Sequence, residues 1–209
     1  MDKQQRHERL RLLIKKLNRE RKKQAKQIDI LCNDFISAQK DFITKLKTIS
    51  FMAGFYESII GITDLSELLS IATKLIKIEY PDVSITFFLR QEEGFEIHMF
   101  GGEHPITFEK QHLENSFNQE LMDSICKSNK MCTLEDIFAM DMQGSLVGLN
   151  EVSLLTIPLS TQGSSLGFIL ICRSSANKLT ANEVDNISAV TSGLCRAIIS
   201  CRTISQSLN

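Results

Sequence analysis

From Asp2 to Ile49 the chain contains neither proline nor glycine, and apolar residues return at every seventh position. One file reads Ile14, Arg21, Ile28, Phe35, Phe42, Ile49, and its companion reads Leu10, Leu17, Gln24, Leu31, Ala38. The segment is rich in Lys, Arg, Gln, Leu and Glu, all good helix formers. Two such helices bury the two files against each other as a coiled coil. The reading is therefore a basic coiled-coil helix over residues 1–50. Its seam is Leu10, Ile14, Leu17, Ile28, Leu31, Phe35 and Phe42, and its partner is a second copy in parallel. Arg21 and Gln24 place a polar layer in the seam, which weakens pairing but fixes register. Past Ile28 the apolar surface widens to Ile30, Ile36, Ile43 and Leu46. A strict seam does not need these residues, so this half is expected to pack on something more, the C-terminal helix of the chain.

Charge divides the chain. Residues 1–50 hold 14 Lys+Arg and 6 Asp+Glu, out of totals of 24 and 25, so the remainder is acidic. The basic stretch from Lys3 to Lys26 reads first as a solvated helix face. Docking on an acidic partner protein, or on the chain's own acidic domain, is the second reading, and nucleic acid is the third. Asn18 to Lys26 resembles the basic region of leucine-zipper DNA-binding proteins over nine residues, but Arg21 and Lys22 stand where that family has paired alanines. Nucleic acid is not the expected partner. No run of about 18 apolar residues marks a membrane span. The charged N-terminus does not read as an export signal, so the expected location is the cytoplasm. The six cysteines follow no framework spacing and are read as reduced thiols.

Residues 51–57, apolar and glycine-containing, read as a connector. Asp64 and Glu67 then have the form of a capping box, and Leu65, Leu68, Leu69, Ala72, Leu75 and Ile76 recur at helical spacing up to Tyr80-Pro81. Val83, Ile85, Phe87 and Leu89 alternate with polar residues, and Phe95, Ile97 and Met99 do so after the turn at Glu92-Glu93-Gly94. That pattern is an antiparallel hairpin. A helix is expected over Ser116 to Lys127 and a short strand at Met131 to Thr133. Residues 134–150 show no clean period. A second hairpin spans Val152 to Pro158 and Leu166 to Cys172, and a last helix runs from Ala181 to about Ile204, capped by Thr180. Antiparallel strands with flanking helices make an α+β domain.

The close of this domain resembles the GAF family. Ser153-Leu154-Leu155-Thr156-Ile157-Pro158-Leu159, Gly163, Leu166-Gly167-Phe168-Ile169-Leu170 and Leu179-Thr180-Ala181-Asn182-Glu183 match the family's strand, Pro-Leu, turn, strand and helix-opening close. The helix from Asp64 to Tyr80 is similar to the family's opening. The resemblance covers residues 58–203, with 204–209 as a tail. It implies a six-stranded antiparallel sheet, helices on one face, and on the other a pocket roofed by Ser116 to Asn150. The expected pocket residues are Met99, Phe117, Cys132, Phe138, Met140, Met142, Leu146 and Thr156. Family members bind small molecules, and many only dimerise.

The chemistry is sparse. The family's cyclic-nucleotide set is collapsed here to Asn177-Lys178 beside Leu179, with Asn182-Glu183 in place of Asp-Glu. Neither Cys126 nor Cys132 is followed by the histidine of a bilin site. Cys126, Cys132 and Cys172 do not have the spacing of the GAF-like methionine-sulfoxide reductases. His98, His104 and His112 have no zinc-site spacing. No phosphate loop or nucleophile elbow is present. The sequence therefore predicts no enzyme, no metal and no cofactor. It predicts a regulatory module that senses an unknown small molecule and signals to a partner protein. The alternatives are a vestigial GAF fold serving only interaction and, third, a thiol reductase.

Overall fold

The computed structural model describes residues 3–100, 110–140, 152–161 and 163–208. The chain divides between Ile49 and Ser50 into two units. The first is a helix alone. α1 (Lys3–Ile59) runs without a break, and each seam residue named above is exposed, Phe35 most of all at 71%. Ile30, Ile36, Ile43 and Leu46, expected to pack on the last helix, are exposed as well. Among the described residues no helix is long and apolar enough to cross a membrane.

The second unit is α+β. The last turns of α1 belong to it, so residues 51–57 are helical rather than a connector. Gly54 inside a helix costs about 1 kcal/mol. Burial of Phe55 and Ile59 offsets that cost. α2 (Leu65–Glu79) follows, with Asp64 at its N-cap accepting from the Glu67 N–H at 2.7 Å. Next come β1 (Ser84–Gln91), β2 (Gly94–Met99), α3 (Lys110–Ser116), α4 (Gln119–Ser128), β3 (Cys132–Thr133), α5 (Leu134–Met140), β4 (Val152–Thr161), β5 (Ser164–Ser174) and α6 (Ala181–Leu208). The sheet is antiparallel throughout, in the order β2-β1-β5-β4-β3.

The resemblance implied six strands; among the described residues there are five. The helix expected from Ser116 starts three residues later as α4, and α3, which the sequence reading did not expect, precedes it. Asn118 breaks the run with extended backbone and caps α4, accepting from the Leu121 N–H at 2.8 Å. Residues 134–140, expected to be irregular, form α5. Thr133 and Asp136 open it reciprocally: Asp136 accepts the Thr133 N–H and hydroxyl, each at 2.8 Å, and Thr133 Oγ1 accepts the Asp136 N–H at 3.4 Å. Pro158 does not end its strand. β3 pairs only with Thr156 and Leu155, so beyond Thr156 β4 has no second neighbour among the described residues. A missing N–H is tolerated at such an edge.

Alternation along the strands divides the core in two. Ile85, Phe87, Leu89, Ile157, Leu159, Ile169 and Ile171 face α2, α6 and the end of α1. Phe88, Leu154, Phe168, Leu170 and Cys172 face α3, α4 and α5 on the other side. Gly167 lies where β5 comes closest to β1. Its φ is +137°, and a Cβ there would sit 1.9 Å from the Phe88 carbonyl oxygen, so only glycine fits.

Candidate functional site

The second face of the sheet is where the pocket was expected. Its centre is filled. Phe88 and Phe168 stack at 4.7 Å and 11°, Phe117 tilts against Phe88 at 5.1 Å, and Phe95 lies 6.4 Å from Phe168. Leu113 of α3 and Leu121, Met122, Ile125 and Cys126 of α4 close over these rings. Offset and tilted aromatic pairs are favourable beyond the area they bury.

The expected pocket residues separate into three groups. Phe117 and Cys132 are buried in this cluster, and Met99 packs at its margin. Cys132 pairs across the ladder with Thr156, whose buried hydroxyl donates to the Cys132 carbonyl at 3.4 Å. Phe138 and Met140 are exposed on α5, because that helix turns Ile137 inward instead. Met142 and Leu146 lie outside the described residues.

The open space lies at the rim. A cavity of about 360 Å³ runs between β2 and the α3–α4 roof. Its apolar walls are Phe95, Ile97, Phe117 and Met122, and its polar edge is Gln91, Glu93, Glu96 and Glu114. Of these only Phe117 was singled out from sequence. The alternation of β2 places Phe95 and Ile97 on the pocket side beside Met99 and was the available signal. Gln91 Nε2 donates to Glu96 Oε2 at 2.7 Å, and His98 Nε2 is 3.4 Å from the same oxygen. The Arg90 guanidinium lies over the Phe95 ring at 5.5 Å and pairs with Asp123. The edge is predominantly acidic, so it suits a ligand that donates hydrogen bonds or carries positive charge. A second cavity, about 540 Å³, lies between β4, α5 and the start of α6, with Leu134, Leu154, Leu179 and Val184 among its walls.

Cys126 and Cys172 are poor nucleophiles. Burial pushes the Cys126 thiol above its usual range and the Cys172 thiol up to about 12. The thiolate is the reactive form, and burial withholds it. Among the described residues no three His, Cys, Asp or Glu side chains gather as a metal site.

Behind the other face, Arg173 is buried at the end of β5. It donates to Glu183 Oε1 at 3.0 Å and to Asp82 Oδ2 at 3.4 Å. Glu183 Oε2 accepts the Thr180 N–H at 2.7 Å and its hydroxyl at 2.9 Å. Partial burial raises the Glu183 carboxyl, but the bonds from Thr180 and Arg173 together outweigh it and hold the group below its ordinary value. The cap was legible in the sequence; the role of Arg173 was not.

Sheet, helix layers and roof cavity define a GAF-like domain. The chain is similar to the GAF domain of a phosphoenolpyruvate-protein phosphotransferase from Coxiella burnetii, 15% identical over 77% of this chain and 98% of that one, with a TM-score of 0.58. The corresponding Acinetobacter GAF domain is 13% identical over 75% of this chain and 95% of its own, with a TM-score of 0.56. The free methionine-R-sulfoxide reductase of Neisseria meningitidis, solved with its substrate, is 11% identical over 75% and 91%, with a TM-score of 0.53. At these identities the likeness shows the fold. No family model matches the chain, and no curated protein matches it in sequence.

Proposed function

We propose that this protein is a cytoplasmic, non-enzymatic regulator that pairs through α1 and binds a small molecule in the rim cavity of its GAF-like unit. The carrying observation is the roof cavity of about 360 Å³, walled by Phe95, Ile97, Phe117 and Met122 and edged by carboxylates. Cavities of this size with few polar groups are where small ligands bind. The preferred ligand has an apolar body and a cationic or hydrogen-donating end. Ligand binding shifts a conformational equilibrium only by its differential affinity for the two states. The elements that carry the change to a partner protein are α6 and α1, whose residues 10–42 hold the exposed seam. The test is a thermal-shift screen of amines, amino acids and nucleotides against the full chain and against Ile97→Trp, which fills the cavity. A compound that raises the melting temperature of the first and not the second supports the reading. Stabilisation by no compound, or equal stabilisation of both, ends it.

A second reading has one observation in its favour. The packed Phe88, Phe117 and Phe168 rings fill the centre of the face where a pocket was expected, as in a fold kept only for dimerisation and interaction. Unchanged partner capture by Ile97→Trp supports that reading over sensing. The thiol reductase is disfavoured by the raised Cys126 and Cys172 thiols. Reduction of free methionine sulfoxide that is lost when Cys126 and Cys132 are both replaced would restore it.

A further inference from the structure

A third cavity, of about 240 Å³, opens at the C-terminal end of α4. Three elements enclose it: Arg90 from the end of β1, Ser160 and Ser165 from the β4–β5 hairpin, and Cys126, Lys127 and Asn129 from the last turn of α4 and its cap. The register shift between Leu159 and Ser160 falls here and leaves Ser160 paired with Ser165 across the hairpin. Such irregularities re-aim side chains. The polarity is the reverse of the rim cavity's. No carboxylate lines this cleft, whereas Glu93, Glu96 and Glu114 edge the rim. Lys127 is exposed and has no ion-pair partner among the described residues. Arg90 gives one nitrogen, Nη2, to Asp123 and lays its face on the Phe95 ring. Ser165 Oγ is buried and meets no partner with hydrogen-bond geometry among the described residues. It lies near the Cys126 thiol, which burial raises and which Ser165 and Arg90 in part lower. A buried hydroxyl without a partner is costly and calls for one.

We propose that this cleft binds a small oxyanion, a phosphate or carboxylate group. Lys127 and Arg90 supply the charge, and the Ser160 and Ser165 hydroxyls and the Asn129 amide supply hydrogen-bond donors. The guanidinium fork fits an oxyanion's geometry, and the ammonium acts as a mobile point charge. Two features work against an anion. Asp123 neutralises part of Arg90, and the end of α4 carries partial negative charge. Lys127 stands in that last turn, where a cation offsets the helix dipole. The two cations also outnumber the one flanking carboxylate. The volume lies below the roughly 300–1,000 Å³ of sites for drug-sized ligands. The occupant is therefore a small ion, or the anionic end of a molecule whose remainder reaches solvent. The cleft shares no lining residue with the rim cavity, so the inference stands apart from the ligand proposed there.

Isothermal titration calorimetry of the full chain at constant ionic strength tests this, with inorganic phosphate and acetate as probes and chloride as the background ion. Saturable binding of phosphate, acetate or both is expected, weakened at least about tenfold by Lys127→Gln and by Ser165→Ala. Phosphate alone identifies a phosphate group as the anchor, and acetate alone a carboxylate. Lys130→Gln removes a nearby exposed cation that does not line the cleft, and it is expected to leave the affinity within about twofold. Ser160→Ala takes the place of any variant that loses its far-ultraviolet helix signal. Binding of neither probe overturns the proposal. Binding that Lys127→Gln and Ser165→Ala leave unchanged also overturns it, because the anion then sits elsewhere, as on the basic residues of α1. Equal losses in Lys127→Gln and Lys130→Gln overturn it as well, because general positive charge then accounts for the binding.

Discussion

Gly167 shows how one missing atom shapes the sheet. β5 passes β1 so closely that a methyl group would meet the Phe88 carbonyl at 1.9 Å, on a backbone already at φ +137°. Strain and overpacking each cost about 1–3 kcal/mol. Gly167→Ala is therefore expected to lower the unfolding free energy by about 3 kcal/mol or more, read from urea denaturation. Glu183 sets a different term. Its carboxyl is held low in the folded chain by Thr180 and Arg173, and in the unfolded chain it returns to about 4.3. The stabilisation is present above that value and is lost as the pH falls through the folded one. Glu183→Gln is expected to be less stable than wild type at pH 7, with the gap narrowing below about pH 4. A gap that is constant with pH would show that the charge contributes nothing.

At the scale of elements, the decisive contact is the clasp between the end of α1 and α6. Tyr56 donates its hydroxyl to the Ala189 carbonyl at 2.9 Å, and its ring lies across Gly193, where a Cβ would be 2.2 Å from Cε1. Gly193→Ala improves helix propensity by about 1 kcal/mol, yet it is expected to destabilise the protein, because the ring must leave its seat. Adding Tyr56→Ala to Gly193→Ala removes the clash, so the double mutant is expected to lose less than the two single losses added. The double-mutant cycle reads that coupling directly. Helix propensity and periodicity foretold α2 and α6. They did not foretell the break at Asn118 or the continuation of α1 past Gly54. The Asn118 and Thr133 caps were written in the residues, but a short helix carries too few turns for its period to stand out. Gly54 reads as a breaker only until Phe55 and Ile59 are seen to be buried on either side of Tyr56.

For the whole molecule, charge and hydrophobicity act in opposite directions on assembly. Residues 3–26 hold 11 Lys+Arg and 2 Glu, so two copies paired in parallel bring like charges together. The Debye length falls from about 10 Å at 0.1 M salt to about 3 Å at 1 M. The pairing proposed for α1 is therefore expected to tighten as salt is added, measured by sedimentation over that range. Weakening with salt would mean that ion pairs, not the apolar seam, hold the copies.

What the sequence determined by itself is everything carried by repetition, namely the long helix, the two hairpins and the α+β class, while the likeness to GAF domains came from the closing motif. Periodicity encodes which face of an element is apolar, and this survives without knowledge of neighbours. What covers each face was decided only in three dimensions. Phe88 comes from β1, Phe168 from β5 and Phe117 from the bend between α3 and α4, and only their meeting fills the centre of the expected pocket and leaves the opening at the carboxylate rim. The exposed Phe138 and Met140 make the same point in reverse: composition marked them as pocket lining, and the rotation of α5 about Ile137 turned them to solvent.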